Sequence, residues 1–336
     1  MIIQSFEIEE LSTRVSLSFL DNKRLILTGG TGMLGSYLIE TICRVCEIQN
    51  IKLNELKVLS LIGRFDTIKH LLKFKFVNFE SINLNNLNNF YGYNYVIHAS
   101  SPASPKFFLN ESNMTRINAK LLSYLVSKET EKLLLFSTGE IYGDNPPHQV
   151  NEDYKIDINR SEFRSSYPIA KKIAEEHSNQ LSQNFGFELR IARIFHTFGP
   201  GVRQNDGRSF ADFLWSAANG NKPSLRSSGL DVRTFLYSLD CIAALLLILQ
   251  KDNIVGPINV GGESPMTIEA FAKRVSYLSG LGGGITKNNL NIEKSKIIIP
   301  DLTKLKSLGW FQGVGIDQAI FRTLNWVKEV NKIEGA

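Results

Sequence analysis

The chain has 336 residues, 43% of them hydrophobic and 21% charged, and its 38 basic and 33 acidic side chains leave a formal net charge of +5. Such a chain buries a full core as one large domain or two smaller ones, which excludes a disordered protein, a collagen-like repeat and a disulfide-stapled module. The longest apolar run, Cys241 to Leu249, is too short for a membrane helix of about 20 residues. Acidic residues where an export signal would be basic, and the lack of a Lys/Arg block, predict a cytoplasmic protein that binds neither membrane nor nucleic acid.

The three cysteines do not predict a metal or redox site. Cys43 and Cys46 have the C-x-x-C spacing that such sites use, but the sequence has no second C-x-x-C and no H-x(3–5)-H, and Cys241 stands alone. We therefore expect buried cysteines that behave as small apolar residues, and we predict no metal.

In chain order, the first 22 residues show no clear period, and we expect a short helix packed on the outside. From Lys23 onward, short apolar runs typical of β-strands alternate with stretches of helical period. The predicted strands are Leu25–Leu27, Leu56–Ile62, Tyr95–Ala99, Leu133–Ser137 and Leu189–Phe195, and the helices between them include Asn118–Lys128 and Tyr167–Phe185. This alternation predicts an α/β fold of right-handed βαβ units, a doubly wound Rossmann-type parallel sheet covered by helices on both faces.

A glycine-rich turn follows the first predicted strand and opens a helix. Residues 28–35 read TGGTGMLG, with glycines at positions 29, 32 and 35. Glycine there allows a tight turn, close approach of a pyrophosphate to the backbone and close packing of helix on strand, while the anion lies at the positive end of the helix. The pattern predicts a dinucleotide site, with the candidate cofactor-binding residues Gly29, Thr31, Gly32, Met33 and Leu34.

The end of the second predicted strand leaves the dinucleotide open between NAD and NADP. An NAD site usually has an acidic residue there, which binds the ribose hydroxyls. Here Gly63, Arg64, Phe65 and Asp66 follow the strand, so no carboxylate occupies the expected position, although Asp66 could reach back. Arg64 could instead face a 2′-phosphate, and it is a further candidate cofactor-binding residue.

Tyr167 and Lys171 predict a proton-transfer pair, because they lie one helical turn apart on the same face. A tyrosine with a pKa of about 10 is a poor base at neutral pH, but a lysine ammonium and a positively charged nicotinamide beside it would stabilise the phenolate. Thr138 follows a predicted strand at its carboxyl end, where open α/β sheets bind ligands, and its hydroxyl can hydrogen-bond the oxygen being oxidised. The glycine turn, Thr138 and the Tyr–Lys pair in this order are more specific than any one of them.

Together these features resemble the extended short-chain dehydrogenases/reductases of the NAD-dependent epimerase/dehydratase family, which modify nucleotide sugars. The resemblance covers roughly residues 23–312 and is carried by the motifs TGGTGMLG, STGEIYGD, YPIAK, RIFHTFGPGVRQNDGR, RTFLYSLD, NVGG and DLTKLKSLGW. Among the branches of the family, the segments HASSPASP, GP-x(4)-NDGR and R-x-F-x-Y most resemble UDP-glucuronate decarboxylases.

The resemblance implies a redox cycle on a sugar attached to a nucleoside diphosphate. Tyr167 would take the proton of the sugar 4-hydroxyl while a hydride passes from C4 to the nicotinamide. The 4-ketone would then permit decarboxylation, elimination or re-reduction from the other face, after which the hydride returns. The candidate catalytic residues are Thr138, Glu140, Tyr167 and Lys171, of which Tyr167 and Lys171 are also expected to bind the cofactor.

Glu140 and Gly139 bear on the choice among these routes. Glu140 occupies the position where decarboxylases and 4,6-dehydratases of the family carry a glutamate, suited to act as a base at C5 or to orient the substrate. Gly139 departs from the family, which places Asp or Ser there. Glycine cannot protonate a leaving 6-hydroxyl, which disfavours dehydration, and its lack of a hydroxyl also weakens the match to decarboxylases.

The resemblance also assigns residues to substrate binding. Arg233 matches an arginine that contacts the diphosphate or lies beside a substrate carboxylate, and Arg208 in the NDGR turn is a second candidate, because a planar guanidinium suits either anion. His196 stands where many relatives have an asparagine that contacts the nucleotide sugar. The remaining candidates are Ser101 for the substrate and His98, Ala99 and Ser100 for the cofactor.

We therefore expect an enzyme that acts on a nucleotide-diphosphate sugar through a 4-keto intermediate, with decarboxylation of a UDP-hexuronate as the leading hypothesis. The alternatives are a 4-epimerase or 4,6-dehydratase and, in another class, a non-catalytic dinucleotide-binding protein. The predicted organisation is an extension at residues 1–22, a Rossmann domain with the catalytic residues at 23–196, and a mainly substrate-binding domain at 197–336, some segments of which return to the Rossmann domain. The family implies a homodimer formed through the helix that carries the Tyr–Lys pair, and a place in polysaccharide synthesis.

Overall fold

The computed structural model describes residues 3–61, 63–103, 111–143, 146–155, 165–287 and 295–334. The helices are α1 Ser5–Arg14, α2 Met33–Ile48, α3 Glu111–Asn118, α4 Ser166–Phe185, α5 Ser209–Ala218, α6 Ser238–Gln250, α7 Ile268–Leu278, α8 Thr303–Ser307 and α9 Ile316–Glu334. The strands are β1 Arg24–Thr28, β2 Glu55–Ser60, β3 Val77–Ser81, β4 Tyr95–His98, β5 Lys132–Thr138, β6 Gln149–Val150, β7 Glu188–Ile194, β8 Thr197–Phe198, β9 Ser224–Leu225, β10 Val232–Thr234, β11 Leu236–Tyr237, β12 Pro257–Val260, β13 Pro265–Thr267, β14 Thr286–Lys287 and β15 Ile299–Pro300. Short 3₁₀ helices lie at Ser18–Leu20, Lys69–Lys73, Lys120–Tyr124 and Gly139–Tyr142.

Seven strands form one sheet in the order β12-β7-β5-β4-β1-β2-β3, and every neighbouring pair is parallel. Alternate residues of a strand pack into different apolar clusters, Leu25 and Leu27 on the side of α2 and Ile26 on the side of α4, as expected of a sheet covered on both faces. The predicted doubly wound α/β fold is confirmed. Because parallel strands end at the same edge, Thr28 and Thr138 both lie at the carboxyl edge of the sheet.

Two elements of the structure differ from the sequence prediction, which did not include β3. Strand β3 escapes the apolar pattern because only its first residue, Val77, is fully buried. The predicted helix Asn118–Lys128 is wrong, since α3 ends at Asn118 and a 3₁₀ turn follows. The Asn118 amide donates a 2.8 Å hydrogen bond back to the carbonyl of Met114, an interaction by which asparagine competes with the backbone pattern of a helix.

The first and last parts of the chain join the same core as the sheet. The main apolar cluster contains both Ile3 and Val327, and β12 forms an edge of the central sheet. The expected helix of the N-terminal extension is present, but its inner face is part of the core: Leu11 is fully buried, and the Glu7 carboxylate accepts a 2.6 Å hydrogen bond from Tyr237. The domain boundaries drawn from the sequence stay a prediction.

The cysteines are buried, as predicted. Burial raises the pKa of the Cys46 thiol to about 12 and that of Cys43 well above its usual value, so neither is a reactive thiolate at neutral pH. Across the part of the chain that the structure describes, no helix is both long and apolar enough to span a membrane, and no cluster of three His, Cys, Asp or Glu side chains could hold a metal ion.

Candidate active site

A cleft of about 1070 Å³, counting its open mouth, lies at the carboxyl edge of the sheet. One wall is built from the glycine-rich turn and the start of α2, a second from the end of β5 and the first turns of α4, and a third from the segment after β7 together with Arg208. Of the sequence-predicted residues, those that line the cleft are Gly29, Gly32, Met33, Leu34, Ala99, Ser101, Thr138, Glu140, Tyr167, Lys171, His196 and Arg208.

Glycine at positions 29, 32 and 35 of the turn is explained by three different structural reasons. Gly29 has a φ of +77°, a conformation that L-residues rarely adopt. A Cβ at Gly35 would lie 2.2 Å from the carbonyl oxygen of Gly29, so glycine there lets the helix pack against the turn. A Cβ at Gly32 would make only an ordinary 3.4 Å contact with the same oxygen. Because the fold does not require glycine at 32 and Gly32 lines the cleft, its missing side chain leaves room for a ligand.

The start of α2 is suited to an anion. Gly32 caps the helix without any side-chain hydrogen bond, and the first turn carries no acidic residue. The first backbone N–H groups of a helix have no partner within it, and they carry the positive end of the helix dipole. The buried hydroxyl of Ser101 has no hydrogen-bond partner among the described residues and lines the same cleft. This donor set fits the diphosphate and ribose of a dinucleotide.

Four of the predicted cofactor residues lie outside the cleft lining. The His98 ring is fully buried, its Nδ1 2.8 Å from the Thr28 hydroxyl, which also accepts a 3.3 Å hydrogen bond from the N–H of Ser100. Burial, and secondarily the charge of Lys171, lower the pKa of His98 to about 3, so it is neutral. The Thr31 hydroxyl faces that of Ser60 at 3.4 Å, at the end of β2. His98, Ser100 and Thr31 therefore lie next to the glycine turn or within it, but they do not line the cleft.

The fourth is Arg64, which follows β2 on an exposed segment. The strand ends at Ser60, two residues earlier than the sequence pattern predicts, and Ile62 lies outside the described residues. The neighbouring Phe65 stacks on Phe79 at 5.0 Å, which anchors this segment to the outer strand of the sheet. A role of Arg64 toward the cofactor stays a prediction.

Thr138, Tyr167 and Lys171 come together as the sequence predicts. Lys171 is 2% exposed, and its ammonium donates a 2.7 Å hydrogen bond to the carbonyl of Phe136 and lies 6.0 Å from the centre of the Tyr167 ring. The Thr138 side chain accepts a 3.2 Å hydrogen bond from the N–H of Glu140 and hydrogen-bonds the Tyr167 phenol. The three functional groups therefore lie against one wall of the cleft.

The electrostatics of this wall fit the expectation that Lys171 needs a second positive charge beside it to activate the tyrosine. Burial, then the charge of Glu140, raise the pKa of Tyr167 above its usual value, against the opposing effects of the Thr138 hydrogen bond and the charge of Arg208. Burial also lowers the pKa of Lys171 to about 7, opposed by the carboxylate of Glu175. Desolvation is the larger effect on both groups, so the phenolate needs further positive charge in the cleft before it forms at neutral pH.

Glu140 and Gly139 lie in the turn that follows β5. Glu140 is exposed within the cleft, and its charge acts on both Tyr167 and Arg233. At Gly139, a Cβ would lie 2.7 Å from the ring of Phe195, so an aromatic ring occupies the space where a side chain would begin. No proton donor is therefore present at position 139.

The third wall holds His196 and Arg208, whereas Arg233 lies outside the lining. Burial, then the charges of Arg233 and Arg208, lower the pKa of His196 to about 3, so it is a neutral group near two cations. Arg208 forks onto Asp206, with Nη2 2.8 Å from Oδ2. Arg233 donates to Asp231 at 3.0 Å and to two backbone carbonyls at 2.8 Å, so its guanidinium is already largely engaged.

Several lining residues were not identified from the sequence. In the sequence, Phe136 and Phe195 are interpreted only as residues of predicted strands, and Thr197 is the neighbour of the candidate His196. Ile298 comes from a distant part of the chain that reaches the cleft because β15 pairs with β6, and no sequence signal marks it.

Comparison with known proteins identifies the family of this site. The sequence model of the NAD dependent epimerase/dehydratase family matches residues 25–261. UDP-glucuronic acid decarboxylase 1 of Xenopus tropicalis is 30% identical over 323 residues, which span 93% of this chain and 74% of that protein. UDP-glucuronic acid decarboxylase 6 of Arabidopsis thaliana is 30% identical over 307 residues, 88% of this chain and 86% of that protein. The chain belongs to the NAD-dependent epimerase/dehydratase family, as predicted. This membership also confirms the predictions that the protein is an enzyme and that its cofactor is NAD.

Solved structures confirm the fold. A UDP-N-acetylglucosamine 4-epimerase from Methanobrevibacter ruminantium matches with a TM-score of 0.80 and 18% identity, over 92% of this chain and 99% of that one. A UDP-glucose 4-epimerase from Thermotoga maritima matches with a TM-score of 0.77 and 20% identity, over 91% and 99% of the two chains. At such identities, the likeness speaks for the architecture and not for a substrate.

Proposed function

We propose that the protein decarboxylates a UDP-hexuronate through transient oxidation at C4 of the sugar. The observation that carries this proposal is the single wall on which Thr138, Tyr167 and Lys171 meet beside the carboxylate of Glu140. The two relatives described above, named as UDP-glucuronic acid decarboxylases, support the choice of substrate.

The glycine turn, together with Lys171 and Ser101, would hold the cofactor. Gly32 would leave room for the diphosphate beside the first N–H groups of α2, and Lys171 and Ser101 would supply hydrogen bonds to the ribose groups. When bound, NAD supplies a hydride acceptor and the positive charge that the cleft needs for phenolate formation.

The chain's own residues move and hold protons. Tyr167, as phenolate, takes the proton of the sugar 4-hydroxyl, and the Lys171 ammonium stabilises the phenolate charge. The Thr138 hydroxyl hydrogen-bonds the same phenol and holds the reacting oxygen in line. Glu140, exposed in the cleft, orients the sugar near C5.

The route beyond the 4-ketone is decided by what lies at position 139. With a ketone at C4, a C6 carboxylate is a β-keto acid: its C5–C6 bond breaks, carbon dioxide leaves and the electron pair forms an enolate that takes a proton at C5. Elimination of a 6-hydroxyl needs a proton donor at that end, and Gly139 beside the ring of Phe195 offers none. The arrangement therefore favours decarboxylation over 4,6-dehydration.

Anionic parts of the substrate face the third wall. Arg208 lines the cleft, and the neutral His196 beside it can give or accept a hydrogen bond without repelling the arginines. Arg233 adds positive charge from behind His196. A diphosphate, or the C6 carboxylate, is the ligand that such a wall fits.

The test is incubation of the purified protein with UDP-glucuronate and NAD, followed by mass spectrometry of the nucleotide. Loss of carbon dioxide is expected in the protein and not in the Tyr167→Phe variant. Loss of water would identify a dehydratase, and an isomer of equal mass a 4-epimerase, which is the second candidate because Gly139 also removes a hydroxyl found in decarboxylases of the family. Full turnover by Tyr167→Phe, or binding of NAD without conversion of any UDP-sugar, would contradict the mechanism, and the latter would favour a non-catalytic dinucleotide-binding protein.

We also propose that the protein acts in the cytoplasm as a homodimer formed through α4. The family supports this assembly, and light scattering during size-exclusion chromatography measures it. A mass of one chain at micromolar concentration would contradict it.

A further inference from the structure

Helix α4 carries a third buried polar residue in line with the catalytic pair. Tyr167, Lys171 and Glu175 follow one another at intervals of four residues, so they share one face of the helix. All three are buried, Glu175 with 7% of its surface exposed. The reaction proposed above gives Glu175 no part, although a carboxylate so deeply buried needs a structural or functional reason.

The end of strand β5 contacts all three of these residues. The carbonyl of Phe136 accepts the 2.7 Å hydrogen bond from Lys171, the hydroxyl of Ser137 donates a 2.5 Å hydrogen bond to Glu175, and Thr138 hydrogen-bonds Tyr167. Three consecutive residues of the strand thus contact three turns of one helix face, although in a different order along the strand and the helix. A shift of α4 along β5 would break all three contacts together.

Arg193 of β7 holds Glu175 from the other side. Its guanidinium binds the carboxylate at two points, Nε to Oε1 at 3.1 Å and Nη2 to Oε2 at 2.8 Å. The same guanidinium donates to the hydroxyl of Tyr142 at 3.0 Å and to the carbonyl of Glu152 at 3.1 Å. Both partners of the ion pair are less than a tenth exposed, and the two-point contact fixes the position of the Glu175 side chain.

Among the described residues, the groups that face Lys171 differ in charge. From β4 comes the neutral His98, from β5 the carbonyl of Phe136, and from α4 the phenol of Tyr167 and the carboxylate of Glu175. Burial lowers the pKa of Lys171 to about 7, and the Glu175 carboxylate opposes that effect. Glu175 is therefore the group whose charge favours the ammonium.

We propose that Glu175, fixed by Arg193 and Ser137, is a positioning residue for the catalytic pair: it maintains the positive charge of Lys171 and keeps α4 in register with the end of β5. This inference rests on the proposed function only in assuming that Tyr167 acts as a phenolate. Glu175 does not touch the substrate, and it acts through Lys171.

The variant that tests the charge is Glu175→Gln, which keeps the size of the side chain and an oxygen for Ser137 but removes the carboxylate. Without it, Lys171 loses its proton at lower pH, and the Tyr167 phenolate then forms only at higher pH. The matched control is Glu176→Gln, the same substitution at the adjacent, exposed position of α4.

The first measurement is a spectrophotometric titration of tyrosinate in the protein saturated with NAD. The chain has 10 tyrosines, so the Tyr167→Phe form of each variant is subtracted to isolate one phenol. We expect the midpoint of Tyr167 to rise by about one pH unit in Glu175→Gln, a tenfold loss of phenolate at a given pH, and to stay unchanged in Glu176→Gln. An unchanged midpoint in folded Glu175→Gln would overturn the proposal.

A second variant shows whether the shift of the midpoint arises from the lost charge or from a disturbed fold. Removing one partner of a buried ion pair leaves an uncompensated charge, whereas removing both is often tolerated. Glu175→Gln combined with Arg193→Met therefore removes the Glu175 charge without leaving an unpaired cation. The same upward direction of the midpoint is expected, and a midpoint that does not rise in this form contradicts the proposal.

Turnover of UDP-glucuronate adds an independent readout. In Glu175→Gln, the rising limb of the pH–rate profile should move to higher pH, so the rate is restored at alkaline pH. A merely structural role would lower the rate equally at every pH, and that result would overturn the proposal. If no UDP-sugar is converted at all, the proposed function fails, while the tyrosinate titration still decides the role of Glu175.

Discussion

Two walls of the cleft hold their charged side chains in different ways. The catalytic wall is formed by the end of β5 and the first turns of α4, and the substrate wall by the segment after β7 together with Arg208. On the catalytic wall, Lys171 of α4 is fixed by a carbonyl of strand β5, and Glu175 of the same helix by an arginine of strand β7. On the substrate wall, Arg208 is held by an aspartate two residues earlier in the chain. Arg233, which lies outside the cleft lining, is held by an aspartate at the same spacing and also by the carbonyl of Lys296.

This difference follows from burial. A fully desolvated charge needs partners from several directions, and only tertiary structure brings them together. The Arg208 side chain is 27% exposed, and a local carboxylate is enough to orient a guanidinium that keeps access to solvent. The first arrangement fixes the geometry through several elements, as the proposed proton transfer requires, whereas in the second the arginine is held by a carboxylate from its own segment of the chain.

The largest effect is expected on the catalytic wall. Tyr167→Phe removes the phenolate base but keeps the buried ring, so turnover should fall roughly 100- to 10,000-fold while the protein stays folded. NAD binding, followed by fluorescence titration, should change little in the same variant. A rate within a factor of a few of the unmodified protein would mean that another group takes the proton.

On the substrate wall, Arg208→Ala should act on binding rather than on the chemical step. Hydrogen bonds to charged groups contribute about 1.5–3 kcal/mol, so KM for the UDP-sugar should rise roughly 10- to 100-fold with kcat changed much less. Arg233→Ala should raise KM less, because the fork of Arg233 is already engaged outside the cleft lining. Arg274→Ala, on the outer face of α7, is the control for loss of a positive charge.

A fall in kcat of Arg208→Ala as large as that of Tyr167→Phe would contradict the assignment of Arg208 to substrate binding. So would an Arg233→Ala variant with a larger KM than Arg208→Ala. Either result would show that the two walls act as a unit.

The parts predicted from sequence are those whose chemistry is local. The glycine turn is read from a few consecutive residues, and Tyr167 and Lys171 from the period of a single helix. Thr138 is read from its place after an apolar strand. Their meeting in one cleft follows from the parallel sheet, because every such strand ends at the same edge.

The parts that sequence reasoning could not predict depend on contacts between distant segments. Ile298 reaches the cleft only through the pairing of β15 with β6. Burial of Tyr167, which raises its pKa, and the pairing of Glu175 with Arg193 are likewise set by packing, although the i, i+4 spacing of Glu175 from Lys171 was a signal that could have been used. Arg64 shows the converse, a charged residue in a suggestive place that the structure leaves exposed.

The glycine turn offers a sharper test of which residues serve the fold and which serve a ligand. Gly35→Ala forces a Cβ to 2.2 Å from the Gly29 carbonyl and should lower the free energy of unfolding by about 1–3 kcal/mol, measured by urea denaturation. Gly32→Ala has space within the protein, so its unfolding should change by less than about 1 kcal/mol while its affinity for NAD falls. Equal stability of the two variants would contradict this assignment.

The smallest effect is expected far from both walls, where Arg274 of α7 and Asp317 of α9 form a half-exposed, two-point ion pair. Unlike the buried pair of Glu175 and Arg193, it should contribute less than about 1 kcal/mol in a double-mutant cycle of Arg274→Ala and Asp317→Asn, measured by urea denaturation at pH 7. Its hydrogen bond with Arg274 lowers the pKa of Asp317 below the ordinary 3.8. A lowered pKa in the folded state means that the contribution is present above the ordinary value and is lost as the pH falls through the lowered one. A coupling well above 1 kcal/mol, or one unaffected by molar salt, would show that exposed pairs of the later half hold the fold as firmly as the buried pair does.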